Sequence, residues 1–468
     1  MKNFQPHAIA LALALAFPAL ASAQSNAELL KELQSLKDRV NQLESALKTK
    51  DAAKPADAEK QWGMTPAQVQ DFNRVSLKTE ALEDAIEAQG FKGLKISGQM
   101  DPTYMYNRAQ NRAGFQFLNS TADGGYNYDN SYFGMAMLDF QKEMEGGTKW
   151  RLTLAPQRSA GGVVDGKSIV HEASVSVPLT DLQTRFIAGQ VPDWSGYEYL
   201  PPTQNKLITH NLLFDFTLPT AYTGAGLDIT SGKWIMKGML ANMNSTIRSD
   251  GNKSPVFAYR VDYSKGEYSG FGFAGVFGKA ANFRAFDDTQ PDGVGVNPVT
   301  LEAYNTRDTS VGLFEVDAYF IRGDWTFQGQ LSYGQQQNSA ITADPLTGDL
   351  RDARWYGASG LAAYKITPRL EAILRADYLN NTKNGGGLLG YSFADDRNGI
   401  GPDPFGDQEI GANRTALSIG MGYMFNANTT FKAEYRLDRA SQAVFLYTSD
   451  GSYRKSNQIF GASVVLSF

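Results

Sequence analysis

The chain of 468 residues contains no cysteine, only three histidines, and no apolar run past its first residues long enough to cross a bilayer as a helix. Without cysteine there are no thiol nucleophiles, disulfides or cysteine-ligated metals, and an exported chain has no need of them. Past the N-terminal segment only His171 and His210 remain for imidazole chemistry. Neither stands in a G-x-S-x-G or comparable frame, so the chain is expected not to be an enzyme. An excess of basic charge is also missing: 44 Lys+Arg face 49 Asp+Glu, which argues against nucleic acid as a partner. What is plentiful is glycine (46), phenylalanine (27) and tyrosine (22), a composition that favours strands over helices.

The N-terminus has the parts of a secretory signal peptide over residues 1–23: Lys2, an apolar core from Ile9 to Phe17, and Ala21-Ser22-Ala23 as an A-x-A cleavage site. Cleavage there leaves a net charge of −6. Residues 24–50 follow as a helix in which Leu33, Val40 and Leu47 take heptad position a, and Leu29, Leu36 and Leu43 position d. Such a segment self-associates as a coiled coil or packs as an amphipathic helix on its own chain. Residues 51–64 read as a charged linker, and a second helix is expected over 65–90, with Thr65 as N-cap and Pro66 at its first position.

From Leu94 to Phe468 the period is two. Trp325, Phe327, Gly329, Leu331 and Tyr333 share one face against Thr326, Gln328, Gln330 and Ser332. "RLEAILRADY" (369–378) and "TFKAEYRLDR" (430–439) repeat the pattern with charges on the polar face. Alternation fits a soluble sandwich and a membrane barrel equally, but connection lengths separate them. Seven short links, such as Thr180-Asp181 and Gly323-Asp324, alternate with eight long ones near 107–130, 157–167, 190–220, 244–255, 279–310, 337–353, 381–413 and 441–455. Short turns at one rim and long loops at the other are the pattern of a membrane barrel, here an antiparallel transmembrane β-barrel of about 16 strands. The final strand, about Lys455 to Phe468, must pair with the first, because no sheet edge stays open in lipid. Phe460, Val464, Leu466 and Phe468 then face lipid, and His171 falls on the lipid-facing phase of its strand.

The apolar last strand ending in Phe468 resembles the signal by which the barrel assembly machinery recognises bacterial outer-membrane proteins. With "FKGLKISGQMDPTYMY", "RFIAGQVPDWSGYEYL" and "FKAEYRLDR", the chain is similar to proteobacterial porins of the OmpL-like and phosphate-selective (porin O and P) type. That resemblance implies a Gram-negative outer-membrane location, a periplasmic N-terminal extension, a homotrimer among membrane lipids, and passive diffusion of small hydrophilic solutes without a cofactor or metal. It also implies that residues 190–220 fold into the barrel as a constriction loop carrying Trp194, Tyr197 and Tyr199. These rings either offer a sliding surface to solutes or pack the loop against the wall. The alternative class is a structural or adhesive barrel plugged by its loops.

The alternating phase assigns as pore-lining the cations Lys149, Arg151, Arg185, Arg260, Arg375, Lys432 and Arg436. It assigns likewise the anions Glu172, Asp262, Glu315, Asp317, Glu371, Asp377, Glu434 and Asp438. The balance supplies no strong field of either sign, and no basic ladder of the kind expected in phosphate-selective relatives. Same-face neighbours such as Arg375 with Asp377 either pair along the wall or form a transverse field. The loop Asp395 to Glu409 either binds Ca²⁺ or is a solvated surface loop.

Overall fold

The structure of the protein is a computed structural model that describes residues 37–39, 42, 65–88, 91–117, 133–155, 169–244, 253–264, 266–280, 282, 294–305, 307–389 and 393–468. The signal peptide, the six heptad positions and the linker expected from the sequence lie outside the described residues. Two compact units are present, residues 1–92 and 93–468. In the first, a helix runs over Pro66–Ala88. Thr65 and Gln68 form a reciprocal cap: the Gln68 side chain accepts from the Thr65 N–H at 2.9 Å, and Thr65 Oγ1 accepts from the Gln68 N–H at 3.4 Å.

The second unit is the barrel. Its strands are β1 (Leu94–Met100), β2 (Thr103–Asn107), β3 (Arg112–Gln116), β4 (Ala136–Glu143), β5 (Lys149–Leu154), β6 (Val170–Pro178) and β7 (Thr184–Pro192). Then come β8 (Ala221–Ser231), β9 (Trp234–Met243), β10 (Val256–Ser264), β11 (Ser269–Ala280), β12 (Thr309–Arg322) and β13 (Trp325–Gln336). The last are β14 (Ala353–Lys365), β15 (Leu370–Asn380), β16 (Arg414–Asn426), β17 (Thr429–Ala440), the loop hairpin β18 (Phe445–Tyr447) with β19 (Ser452–Arg454), and β20 (Ser456–Ser467). All but β18 and β19 join one sheet of 18 segments. Since β1 with β2, and β3 with β4, are halves of single staves, the sheet is a 16-stranded antiparallel barrel. It closes where β20 pairs with both halves of the first stave: Met100 opposes Leu466, and Tyr104 opposes Ala462. Gly98 and the C-terminal Phe468 exchange both backbone hydrogen bonds, at 3.0 and 3.2 Å.

Seven short turns lie at one rim, and the long connections 193–220, 244–255, 281–308, 337–352, 381–413 and 441–455 at the other. The first connection departs from the expected loop at 107–130. A tight turn over 108–111, with Asn111 left-handed at φ 47°, joins β2 to β3, and the long excursion leaves only after Phe117, inside the stave. Asparagine tolerates that conformation through its short polar side chain. The chain re-enters where the Asp101 carboxylate accepts the Met135 N–H, and β4 then resumes pairing with β1.

Outward residues form an apolar band between two rows of rings. Near the short turns stand Trp234, packed on Tyr263 at 4.8 Å, and Trp325, packed on Tyr364 at 4.7 Å. Toward the loops, Phe314, Tyr333 and Tyr356 sit side by side on neighbouring strands. Trp325 and Tyr333 are eight residues apart on β13, about 27 Å at the usual rise and about 21 Å in height at a tilt of roughly 40°. That matches the hydrocarbon band of a membrane barrel.

Candidate functional site

The interior is divided by residues 193–220, which leave the wall after β7 and fold inward. One half of the wall, β12 to β17 with β20, lies under this segment. Arg375 on β15 is fully buried and gathers it in: its guanidinium donates to Glu198 Oε1 at 2.9 Å, to the Thr209 carbonyl at 2.6 Å and to the His210 carbonyl at 2.8 Å. On β17, Glu434 accepts the N–H groups of Ile208 and Thr209 at 2.9 and 2.7 Å, and Arg436 donates to the His210 carbonyl at 2.7 Å. Lys432 donates to the Pro202 carbonyl at 2.7 Å, and Lys206 of the segment pairs with Glu371 at 2.6 Å. The far end is a short helix, Leu212–Thr217, whose N-cap Asn211 accepts the N–H groups of Leu213 and Phe214, both at 2.9 Å.

Apolar contacts complete the docking. Leu212, Leu213 and Phe216 are buried with Trp355 in one cluster. A Cβ at Gly357 would stand 2.4 Å from Leu213 Cδ2, and one at Gly420 2.4 Å from Leu207 Cδ2, so the wall carries glycine where the leucines land. The constriction residues have different fates. Tyr197 is buried, its hydroxyl 2.6 Å from Ser359 Oγ. Trp194 rests on Tyr222 at 5.2 Å, its carbonyl held by Arg260 at 2.8 Å, while Tyr199 stays 46% exposed.

Many residues assigned to the pore wall therefore hold the segment or each other. Arg260 lies between Asp262 (2.7 Å) and Asp317 (2.8 Å). Arg375 pairs with Asp377 at 3.3 Å, and Asp438 takes Arg414 at 2.8 Å and Arg436 at 3.1 Å. Glu315 is fully buried. Arg185 is tied near the short turns to Ser176 Oγ and the Gly147 carbonyl at 2.6 and 2.7 Å.

Lys149 and Arg151 face the other half. There a cavity of about 550 Å³ runs between the inward segment and the wall of β4 to β9. On β6 its lining extends from His171 to Ser176, five residue steps or about 17 Å along the strand. At the short-turn end Lys149 and Glu143 are more than half exposed and 3.4 Å apart. Further in, Arg151 lies between Asp139 (2.8 Å) and Glu172 (3.2 Å), and Lys237 pairs with Asp228 at 3.7 Å. His171 departs from its expected lipid-facing phase. The register between β5 and β6 shifts by one residue at Thr153/Leu154, and His171 in this bulge is buried and lines the cavity.

His210, by contrast, lies within the inward segment, stacked on Phe214 at 4.1 Å, with Nε2 donating to the Tyr199 carbonyl at 2.9 Å. Burial pushes its imidazole down to about 3, so it is neutral. In the loop Asp395 to Glu409, Asp395, Asp403 and Asp407 each accept an N–H two residues on, at 3.0, 3.0 and 2.8 Å. Among the described residues no cluster suited to a metal ion is present.

The profile of a family described as "Protein of unknown function (DUF3138)" matches residues 66–468. The chain belongs to the DUF3138 family. No curated protein matches this family member in sequence. Among solved structures it is similar to OmpT, an outer membrane protein of Vibrio cholerae, at 12% identity over 80% of this chain and 97% of that one, with a TM-score of 0.47. It is similar also to the anion-selective porin from Comamonas acidovorans, at 11% identity over 80% and 99% with a TM-score of 0.47. For Salmonella typhi OmpF the identity is 12% over 80% and 97%, with a TM-score of 0.45.

Proposed function

We propose that this DUF3138 protein is an outer-membrane porin through which small hydrophilic solutes diffuse passively, without covalent chemistry. The observation that supports it is the cavity of about 550 Å³ along β4 to β9, lined by ion-paired side chains of which Lys149, Glu143 and Arg151 are exposed, and separated by the inward segment from a filled half. A barrel built only as an anchor has no need of a charged, hydrated wall inside. The reading includes export by the N-terminal signal, insertion by the barrel assembly machinery through the Phe460 to Phe468 strand, a periplasmic extension, and assembly as a trimer. Kinship with the OmpL-like and phosphate-selective porins belongs to it as well, without the basic ladder that anion selection requires.

The test is purified protein in a planar bilayer under a salt gradient. Large, stable conductance with a small reversal potential is expected. Dense packing beneath the inward segment favours a second reading, a plugged structural barrel, and silence from demonstrably folded protein would establish that one instead.

A further inference from the structure

The cavity has two unlike walls. On the barrel side Lys95, Lys142, Lys149, Arg151 and Lys237 stand among Glu143, Glu172 and Asp228, with Asp139 against Arg151, and most of the carboxylates are paired. Pairing cancels the net field but leaves a surface of alternating donors and acceptors. The segment side presents Trp194, Tyr199, Leu200, Phe214 and Leu218. Of its two acidic members, Glu198 is turned onto Arg375 and accepts the Asn211 N–H at 2.6 Å, and Asp193 accepts from the Tyr222 hydroxyl at 2.6 Å.

The ring wall is fixed from behind. Arg260 holds the Trp194 carbonyl; Asn205 Oδ1 accepts the Tyr199 N–H at 2.9 Å, and His210 donates to the Tyr199 carbonyl at 2.9 Å. The Tyr199 backbone is held at both its N–H and its carbonyl and the Trp194 backbone at its carbonyl, so a passing solute meets rings on a fixed backbone and the ordering cost of the encounter is reduced.

A solute that satisfies both walls has one flat apolar face and a hydrogen-bonding rim. Open-chain solutes of the same size and polarity lack such a face. We infer that the slot favours compact rings with a polar rim, a chemistry shared by pyranose sugars and aromatic zwitterions, over open-chain counterparts. This rests on the porin reading above.

The full-length protein in liposomes tests it by the rate of osmotic swelling. Xylose is compared with xylitol, and phenylalanine with leucine. A ring contact of ordinary strength predicts a ratio on the order of threefold for the ring member. The pair that shows it identifies the source. Tyr199→Ala lowers the ring rate more than the chain rate and brings the ratio to about one, whereas Tyr199→Phe keeps it. Swelling at equal rates within both pairs, or a ratio that survives Tyr199→Ala, overturns the slot and leaves the porin standing. Absence of swelling with every solute, from folded protein that is also silent in bilayers, overturns the porin reading and the slot with it.

Discussion

Along β15 to β17 the inward arginines Arg375, Arg414 and Arg436 have no exposed side-chain surface, while Lys149, Arg151 and Lys237 on β5 and β9 keep 52%, 43% and 35% of theirs. The residue types and the alternation are alike in both halves, so side-chain chemistry does not decide their roles. What differs is whether the inward segment lies over them. Where it does, a cation becomes a structural tie between distant stretches of chain; where it does not, the cation remains in contact with solvent.

The strongest way to break this difference is to cut the tie. Arg375→Met leaves Glu198, Asp377 and Glu434 without their common partner, and removing one member of a buried ionic group costs roughly 3–5 kcal/mol. The backbone ladders of β15 do not involve the guanidinium, so the sheet is expected to survive while the segment detaches. Single channels should become wider and noisier, and residues 193–220 newly sensitive to protease. A variant with native conductance and native protease resistance would remove Arg375 from its place as the tie.

Leu213→Ala probes the same docking through packing. The side chain is wholly buried over Gly357, and truncating a leucine in such a site costs about 2–5 kcal/mol. A loss of stability of that size is expected, read as a lower denaturation midpoint, with channel noise weaker than in Arg375→Met. No change would mean the segment is held by its ionic contacts alone.

How much of this was legible in the sequence follows from the range of each interaction. The phase of β13, β15 and β17 could be read because alternation is local, and the seven turns because short polar links interrupt it. The tight turn at 108–111 was hidden because the first stave-to-stave connection borrowed its length from an excursion within the next stave. His171 was misplaced by a bulge, which moves one residue to the other face and leaves no local mark. The ties were invisible for another reason: Arg375 and Thr209 are 166 residues apart, Glu434 and Ile208 226, and periodicity carries no information over such separations. A signal was nonetheless present on β14, where Trp355, Gly357, Leu361 and Ala363 occupy the inward phase. An inward face that is apolar in a barrel otherwise polar inside announces that something covers it.

Acid sharpens the comparison less drastically. Packed His210 holds its proton only near pH 3, against 6.5 for an ordinary imidazole, so between those values a released segment binds a proton that the packed one refuses. The docked state is therefore favoured above about pH 6.5 and progressively lost as the pH falls toward 3. The charges of Arg375, Lys432 and Glu434 also act on the ring, so the measurement is a difference. Channel noise should rise from pH 7 to pH 4 more in the parent than in His210→Gln; equal increases would mean that His210 is not the source.

The smallest effect belongs to the open half. Arg151→Gln removes the cation that faces Asp139 and Glu172, making the surface beside the cavity more negative. Stability should fall by about 1–3 kcal/mol, since Arg151 is solvated but its partners Asp139 and Glu172 are buried and lose their cation. The change belongs in the reversal potential, shifted toward cations at 0.1 M salt, where the Debye length is about 10 Å, and fading at 1 M, where it is about 3 Å. An equal substitution in the covered half, Arg436→Gln, predicts the opposite pattern: lost docking and little direct change in selectivity. If Arg151→Gln alters the segment's protease resistance instead, the division of the interior into a holding wall and a conducting wall is wrong.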